Sequence, residues 1–125
     1  MKYLVVLCLI ITGCAAKFNQ TNYDRMVDVA AITRNGDTVC ATTDSMQANF
    51  IRIYNDTVWS LEDAAGRSDS DLVKMLTEQL DEIDRFKVML NKGGVSQFFC
   101  KQKMKNIYDT ARLIAKSEGN KLKLL

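Results

Sequence analysis

Thiols are the most reactive side chains in this sequence: it has 4 cysteines, Cys8, Cys14, Cys40 and Cys100, and no histidine. A thiol can be acylated, oxidised to a disulfide or recruited by a metal. Zinc wants four nitrogen, sulfur or oxygen ligands, and the available cysteines, with no histidine beside them, offer no plausible set. Ser–His and Cys–His nucleophiles are excluded for the same reason, and general-base chemistry loses its commonest group. Glu78, Asp81, Glu82 and Asp84 crowd one broad helical surface. They could receive a cation, although carboxylates so spaced on an exposed helix are ordinarily solvated. The Asp69–Asp71 segment lacks the ligand number and the glycine of a calcium loop. The expectation is a protein that is not an enzyme and carries no metal or cofactor.

Cys14 stands apart from the other thiols. A single positive charge, Lys2, precedes the apolar run Leu4 to Ile11, and small residues follow in Thr12-Gly13-Cys14-Ala15-Ala16. Such a run is shorter than the roughly 20 residues needed to span a bilayer and has the form of a cleaved signal peptide. Ile11-Thr12-Gly13-Cys14 resembles the lipobox of bacterial lipoproteins. That resemblance implies a signal peptide over residues 1–13 and a lipid-modified Cys14 as the first residue of the mature chain, firmly held by its acyl groups. In enterobacterial lipoproteins an aspartate after the cysteine commonly retains the protein at the inner membrane. Ala15 stands there instead, which implies an outer-membrane lipoprotein facing the periplasm. Residues 14–21 would form the tether, reaching at most ~27 Å from Cys14 to Asn22. A second route is cleavage after Ala16 by an ordinary signal peptidase, giving a soluble secreted protein. Cys8 within the apolar run and the sequons Asn19-Gln20-Thr21 and Asn55-Asp56-Thr57 keep that route open for a eukaryotic chain.

Without the leader about 110 residues remain, enough for one domain with one core. Cys40 and Cys100 are then an even pair in an oxidising compartment, and a disulfide between them is expected. Closing so long a loop would stabilise by about 4 kcal/mol.

The elements that must position these residues read as helices, with no proline to break them. Met26, Val29, Ala30 and Thr33 mark a first helix from about Asn22 to Arg34, ended by Asn35-Gly36. The same dipeptide is a strong hairpin signal, so a hairpin around it is the alternative. A second helix from about Asp44 to Ala65 carries Met46, Phe50, Ile53, Tyr54, Leu61 and Ala64 on one face and stops at Gly66. Ser68 or Ser70 then caps a third helix, with Asp69 and Asp71 favoured by its dipole. Its stripe is Leu72, Leu76, Leu80, Ile83, Phe86 and Leu90, close to a 3.6 period. Gly93-Gly94 precedes a fourth helix, about Val95 to Ser117, with Cys100, Met104, Ile107, Tyr108, Ala111, Ile114 and Ala115 inward. Short connections make neighbouring helices antiparallel. The fold expected is all-α: a compact three- or four-helix bundle over residues 22–118, with one disulfide and a tail over 119–125.

Charge is divided along the chain. Cys14 to Asn91 holds eight Lys and Arg against thirteen Asp and Glu, whereas Lys92 to Leu125 holds eight against two. On the fourth helix Lys101, Lys105, Arg112 and Lys116 fall within about 60° of one another at 100° per residue. They form either a solvated face paired with Glu78 and Glu82, or a face for anionic lipid or an acidic partner. Trp59 projects nearly opposite the apolar stripe of its helix, beside Arg52, Asp56 and Asp63. That position suits either an interface anchor or a side chain covered by the first helix or the tether. Phe98 and Phe99 cannot both face the core directly, and packing against the Gly93-Gly94 turn is expected for them. Leu122, Leu124 and Leu125 make the tail apolar.

The lipobox, the helical body and the widely spaced cysteine pair resemble the small helical pilotin lipoproteins of bacterial secretion systems. The resemblance is architectural and covers the mature chain. It implies a helical bundle that clasps a short helix of a secretin subunit at the outer membrane, by helix-in-groove binding. The segment Lys92-Gly93-Gly94-Val95-Ser96-Gln97, followed by Cys100, resembles a stretch of phage periplasmic lysozyme inhibitors, and no residue role is carried over from it. The alternative function is therefore an exclusion, immunity or lysozyme-inhibitor protein of phage or plasmid type. A secreted eukaryotic helical factor is the third. In the first reading the partners are a membrane, through the lipid anchor, and an envelope protein, with no nucleic acid. Trp59, Lys101, Lys105, Arg112 and Lys116 are its candidate partner-binding residues.

Overall fold

A computed structural model describes residues 18–124, the side chains of residues 123 and 124 excepted. Cys8, Cys14, the leader and the first half of the tether, residues 14–17, lie outside the described residues, as do Leu125 and the side chain of Leu124. Five helices follow one another: α1 (Gln20–Arg34), α2 (Gly36–Val39), α3 (Thr43–Gly66), α4 (Ser70–Asn91) and α5 (Gln97–Asn120), the last running into a 3₁₀ turn, Lys121–Leu124. Four of them are long, and they form an all-α bundle. There is no hairpin around Asn35-Gly36: the short helix α2 follows α1 at once.

Polar side chains define where the long helices begin. Asn19, Thr42 and Ser96 each accept a hydrogen bond from the backbone N–H three residues on, at 3.0, 3.1 and 3.1 Å, satisfying donors that a helix start leaves orphaned. Helix α4 is capped by Asp69, whose carboxylate accepts from Leu72 N at 3.4 Å, and not by Ser68 or Ser70. A carboxylate combines the cap with the favourable end of the helix dipole. Ser68 instead takes the left-handed turn between α3 and α4, with φ 57°. Gly93, at φ 83°, turns the chain out of α4 at no steric cost.

The four long helices alternate in direction. The start of α1 meets the ends of α3 and α5, through hydrogen bonds from Asn19 to Asp63 and Glu118. At the same end the start of α4 meets the residue after α5, through Lys121 and Asp69. The opposite end carries α2 and the disulfide, Cys40 to Cys100, with Cα atoms 5.7 Å apart and both residues fully buried. Helix α1 packs between α5 and α3, and α4 closes the ring between α3 and α5, leaving α3 and α5 on a diagonal.

Met26, Val29, Ile53, Leu76, Ile83, Phe86, Met104, Ile107 and Ile114 fill the centre. Polar side chains interrupt it. Gln79 is buried where the apolar stripe of α4 pointed to Leu80, which is half-buried. Gln79 donates to Thr57 Oγ1 at 2.9 Å, and that pairing offsets much of the desolvation an amide otherwise suffers in a core. Phe50, Tyr54, Leu61 and Tyr108 sit half-buried at the rim. The packed body reaches from Asn19 to Lys121, so the expected bundle limits, 22–118, fall inside it.

Candidate functional site

Two surfaces hold the residues singled out in the sequence. The first lies along the seam of α1 and α3. Trp59 is 61% exposed, and Arg25 of α1 lies over its ring at 5.8 Å. Two turns before Trp59, Arg52 bridges to Asp28 of α1 at 2.6 Å. Asp56 completes the group. Burial first, and then the adjacent Asp28 carboxylate, push its pKa from 3.8 to about 7, against the pull of Arg52 and Arg25. One oxygen of Asp56 is buried without a hydrogen-bond partner. The surface thus presents a tryptophan whose indole is open to solvent, braced from the α1 side by a guanidinium. Neither α1 nor the described part of the N-terminal segment covers it.

The second surface is the outer side of α5, where Lys101, Lys105, Arg112 and Lys116 are all exposed. The pairing expected with Glu78 and Glu82 does not form with these four. Glu82 is taken by Lys103 at 2.7 Å and by Arg85 at 3.7 Å, and the Lys103 hydrogen bond holds its pKa below the usual range. Lys103 lies on the flank of α5 that faces α4, whereas the four cations lie on the other flank and outward. Lys101 meets Asp37 of α2 at 2.8 Å, and this lysine depresses the pKa of Asp37. Arg112 stacks over Tyr108 at 5.5 Å. Lys105, Arg112 and Lys116 form no ion pair among the described residues.

Two clefts run along the α1–α5 seam beside these cations. One, of about 590 Å³, is lined by Tyr23, Val27 and Ala30 of α1 and by Arg112, Leu113 and Lys116 of α5. The other, of about 450 Å³, lies nearer the disulfide between Arg34, Asp37, Lys101, Lys105 and Tyr108. Trp59 does not join the cations. It belongs to α3, diagonal to α5, and α1 stands between the two surfaces.

Arg25, Asp28, Val27 and Leu113 were not foreseen as members of either surface. Arg25 and Asp28 gain their meaning from an α3 helix some thirty residues on, which no local pattern announces. Val27 and Leu113 are 43% and 59% exposed, apolar residues on faces otherwise polar; that mismatch was the only signal. Phe98 is 72% exposed, while Phe99 turns inward at the core's edge with Lys103 over its ring at 5.4 Å. Asn19 of the first sequon is 7% exposed, with its side chain spent on the α1 cap and on Asp63, so a glycan there has no room in the folded chain.

Among the described residues no helix is long and apolar enough to cross a membrane, and no cluster of three or more metal-ligating side chains occurs. No protein-family model, curated protein or solved structure matches the chain.

Proposed function

We propose that this chain is a lipid-tethered, non-enzymatic envelope protein that holds a protein partner against the Trp59 side of its bundle, as a pilotin or other assembly factor does. The carrying observation is Trp59 itself, 61% exposed on a rigid helix and braced by Arg25. Leaving an indole in water forgoes its burial, and tryptophan and arginine are among the residue types enriched where a few side chains dominate binding. The lipobox-like run ending at Cys14 supports the tether, and the packed start of α1 sits only a few residues beyond it.

Two measurements test this reading. Intact mass of the chain from its own host is expected to show diacylglyceryl or triacyl mass on a product starting at Cys14; an unmodified product starting at Lys17 would refute the tether. A photo-crosslinking residue at exposed Asn55, one turn from Trp59, is expected to capture a partner that is lost on Trp59→Ala. The same probe at Val88 of α4 is the control. Capture that survives Trp59→Ala would place the contact elsewhere.

A second reading rests on the Lys92–Gln97 connection. All of it but Val95 is exposed, and the disulfide at Cys100 pins the helix that follows. An inhibitor loop presented to a cell-wall enzyme has this form, and inhibition of purified lysozymes that is lost on changing Gly93-Gly94 to alanines would favour it.

A further inference from the structure

We infer that the outer face of α5 is a docking surface for an anionic phospholipid bilayer, on which the bundle lies with Phe98 and Leu113 in the headgroup region. Lys101, Lys105, Arg112 and Lys116 fill an arc of about 60° on this helix, and Phe98 falls within it while Leu113 flanks it. These two apolar side chains are 72% and 59% exposed. No carboxylate of α5 falls in that arc; Asp109 lies just outside it, toward Leu113, and Asp37 of α2 pairs with Lys101 at its end. From Lys101 to Lys116 the cations are strung over about 22 Å of helix, a convex strip rather than a pocket. Cations interleaved with exposed apolar side chains along one helix face are what an interfacial helix presents to lipid. Val27, 43% exposed at the edge of the α1–α5 cleft, extends the apolar part of the same side.

The geometry favours a bilayer over an acidic protein because the strip lies on the side away from α3, leaving Trp59 facing outward when α5 rests on a membrane. The inference does not depend on acylation of Cys14. Each basic residue close to an anionic surface is worth about fivefold in affinity, so removing two by charge reversal should be read easily.

The test uses the mature-length chain with Cys14→Ser, so that no acyl group contributes, and its disulfide intact. It is expected to sediment with phosphatidylglycerol vesicles and not with phosphatidylcholine vesicles, less so as salt is raised. Lys105→Glu with Arg112→Glu should weaken that binding by at least about tenfold, and Phe98→Ser with Leu113→Ser should weaken it without lowering Tm. In Trp59→Phe with Leu113→Trp, the emission should move to the blue on phosphatidylglycerol, while that of the parent, from Trp59, should not. Equal binding to both vesicle types, undiminished binding of the charge-reversed chain, or an unmoved emission at position 113 would each overturn the inference. So would indifference to vesicles combined with loss of a crosslinked partner on charge reversal, which would assign the face to an acidic protein. Absence of acyl mass on Cys14 would refute the tether and leave this result standing.

Discussion

Asp56 is the one described carboxyl pushed to about 7, and its effect on stability has a definite sign. A carboxyl whose pKa is raised by folding keeps its proton in the folded state after the unfolded chain has released it. The folded state then binds more protons between 3.8 and about 7, and stability falls as pH rises through that window, then levels off. Asp37 and Glu82 act in the opposite sense. Their pKa values are depressed by Lys101 and Lys103, so what they contribute is lost only as pH falls below their usual range. Asp56→Asn keeps the shape of the side chain and removes the charge. Urea unfolding across pH should show this variant level with the parent in acid and more stable at alkaline pH. A constant offset at every pH would contradict the assignment. Trp59→Ala should change stability by less than about 1 kcal/mol, since it removes an exposed ring and one cation–π contact. A loss several times larger, read by thermal melting, would make Trp59 a structural residue. The helical wheel placed Trp59 opposite the apolar stripe but left open whether α1 or the tether covers it; the structure leaves it 61% exposed. Its brace by Arg25 was not legible, because that contact joins two helices whose rotation about their axes no local pattern fixes.

Helices were legible where capping, period and breakers agreed. The α4 stripe at Leu72, Leu76, Ile83, Phe86 and Leu90 is buried as read, and α1, α3 and α5 begin and end within a few residues of expectation. Polar residues that earn burial through a partner on another helix escaped the reading: Gln79 with Thr57, and Glu118 with Asn19 and Lys121. A periodicity argument scores each residue alone and cannot see the pair. The Asn35-Gly36 dipeptide, strong for hairpins, was overridden because no β-pairing partner reaches it, and α2 continues helical turning directly. The Cys40–Cys100 disulfide, across a separation of 60 residues, locks α2 and the start of α3 to the start of α5. Cys40→Ser with Cys100→Ser is expected to lower the unfolding free energy by about 4 kcal/mol, with helix content retained in the folded state. Equal midpoints for the two proteins in urea would mean that the bridge constrains nothing the packing does not already hold.

The whole molecule is closed at its other end by charge rather than sulfur. Lys121 Nζ lies 2.6 Å from Asp69 and 2.7 Å from Glu118, with the lysine side chain 14% and the glutamate side chain 2% exposed. The second oxygen of Glu118 accepts from Asn19 N at 2.6 Å, and Asp63 gathers Asn19, Asn22 and Arg67 within 3.1 Å. Burial works against the charge on Lys121, but hydrogen bonds to Asp69 and Glu118 outweigh it and raise its pKa above 10.5. Its contribution is therefore complete below that value and lost only as pH rises through the raised pKa. This cluster fastens the start of α1 to the end of α5, so any pull transmitted from the N-terminal segment arrives at Asn19 and is resisted there. Lys121→Met should leave two carboxylates buried without their cation and cost about 3 kcal/mol. Hydrogen exchange should quicken first at the amides of residues 19–23, where the clamp is lost, while the disulfide end stays protected. Uniform quickening over all four long helices would show instead that the bundle opens as one unit, with the clamp adding stability to the whole rather than holding one end.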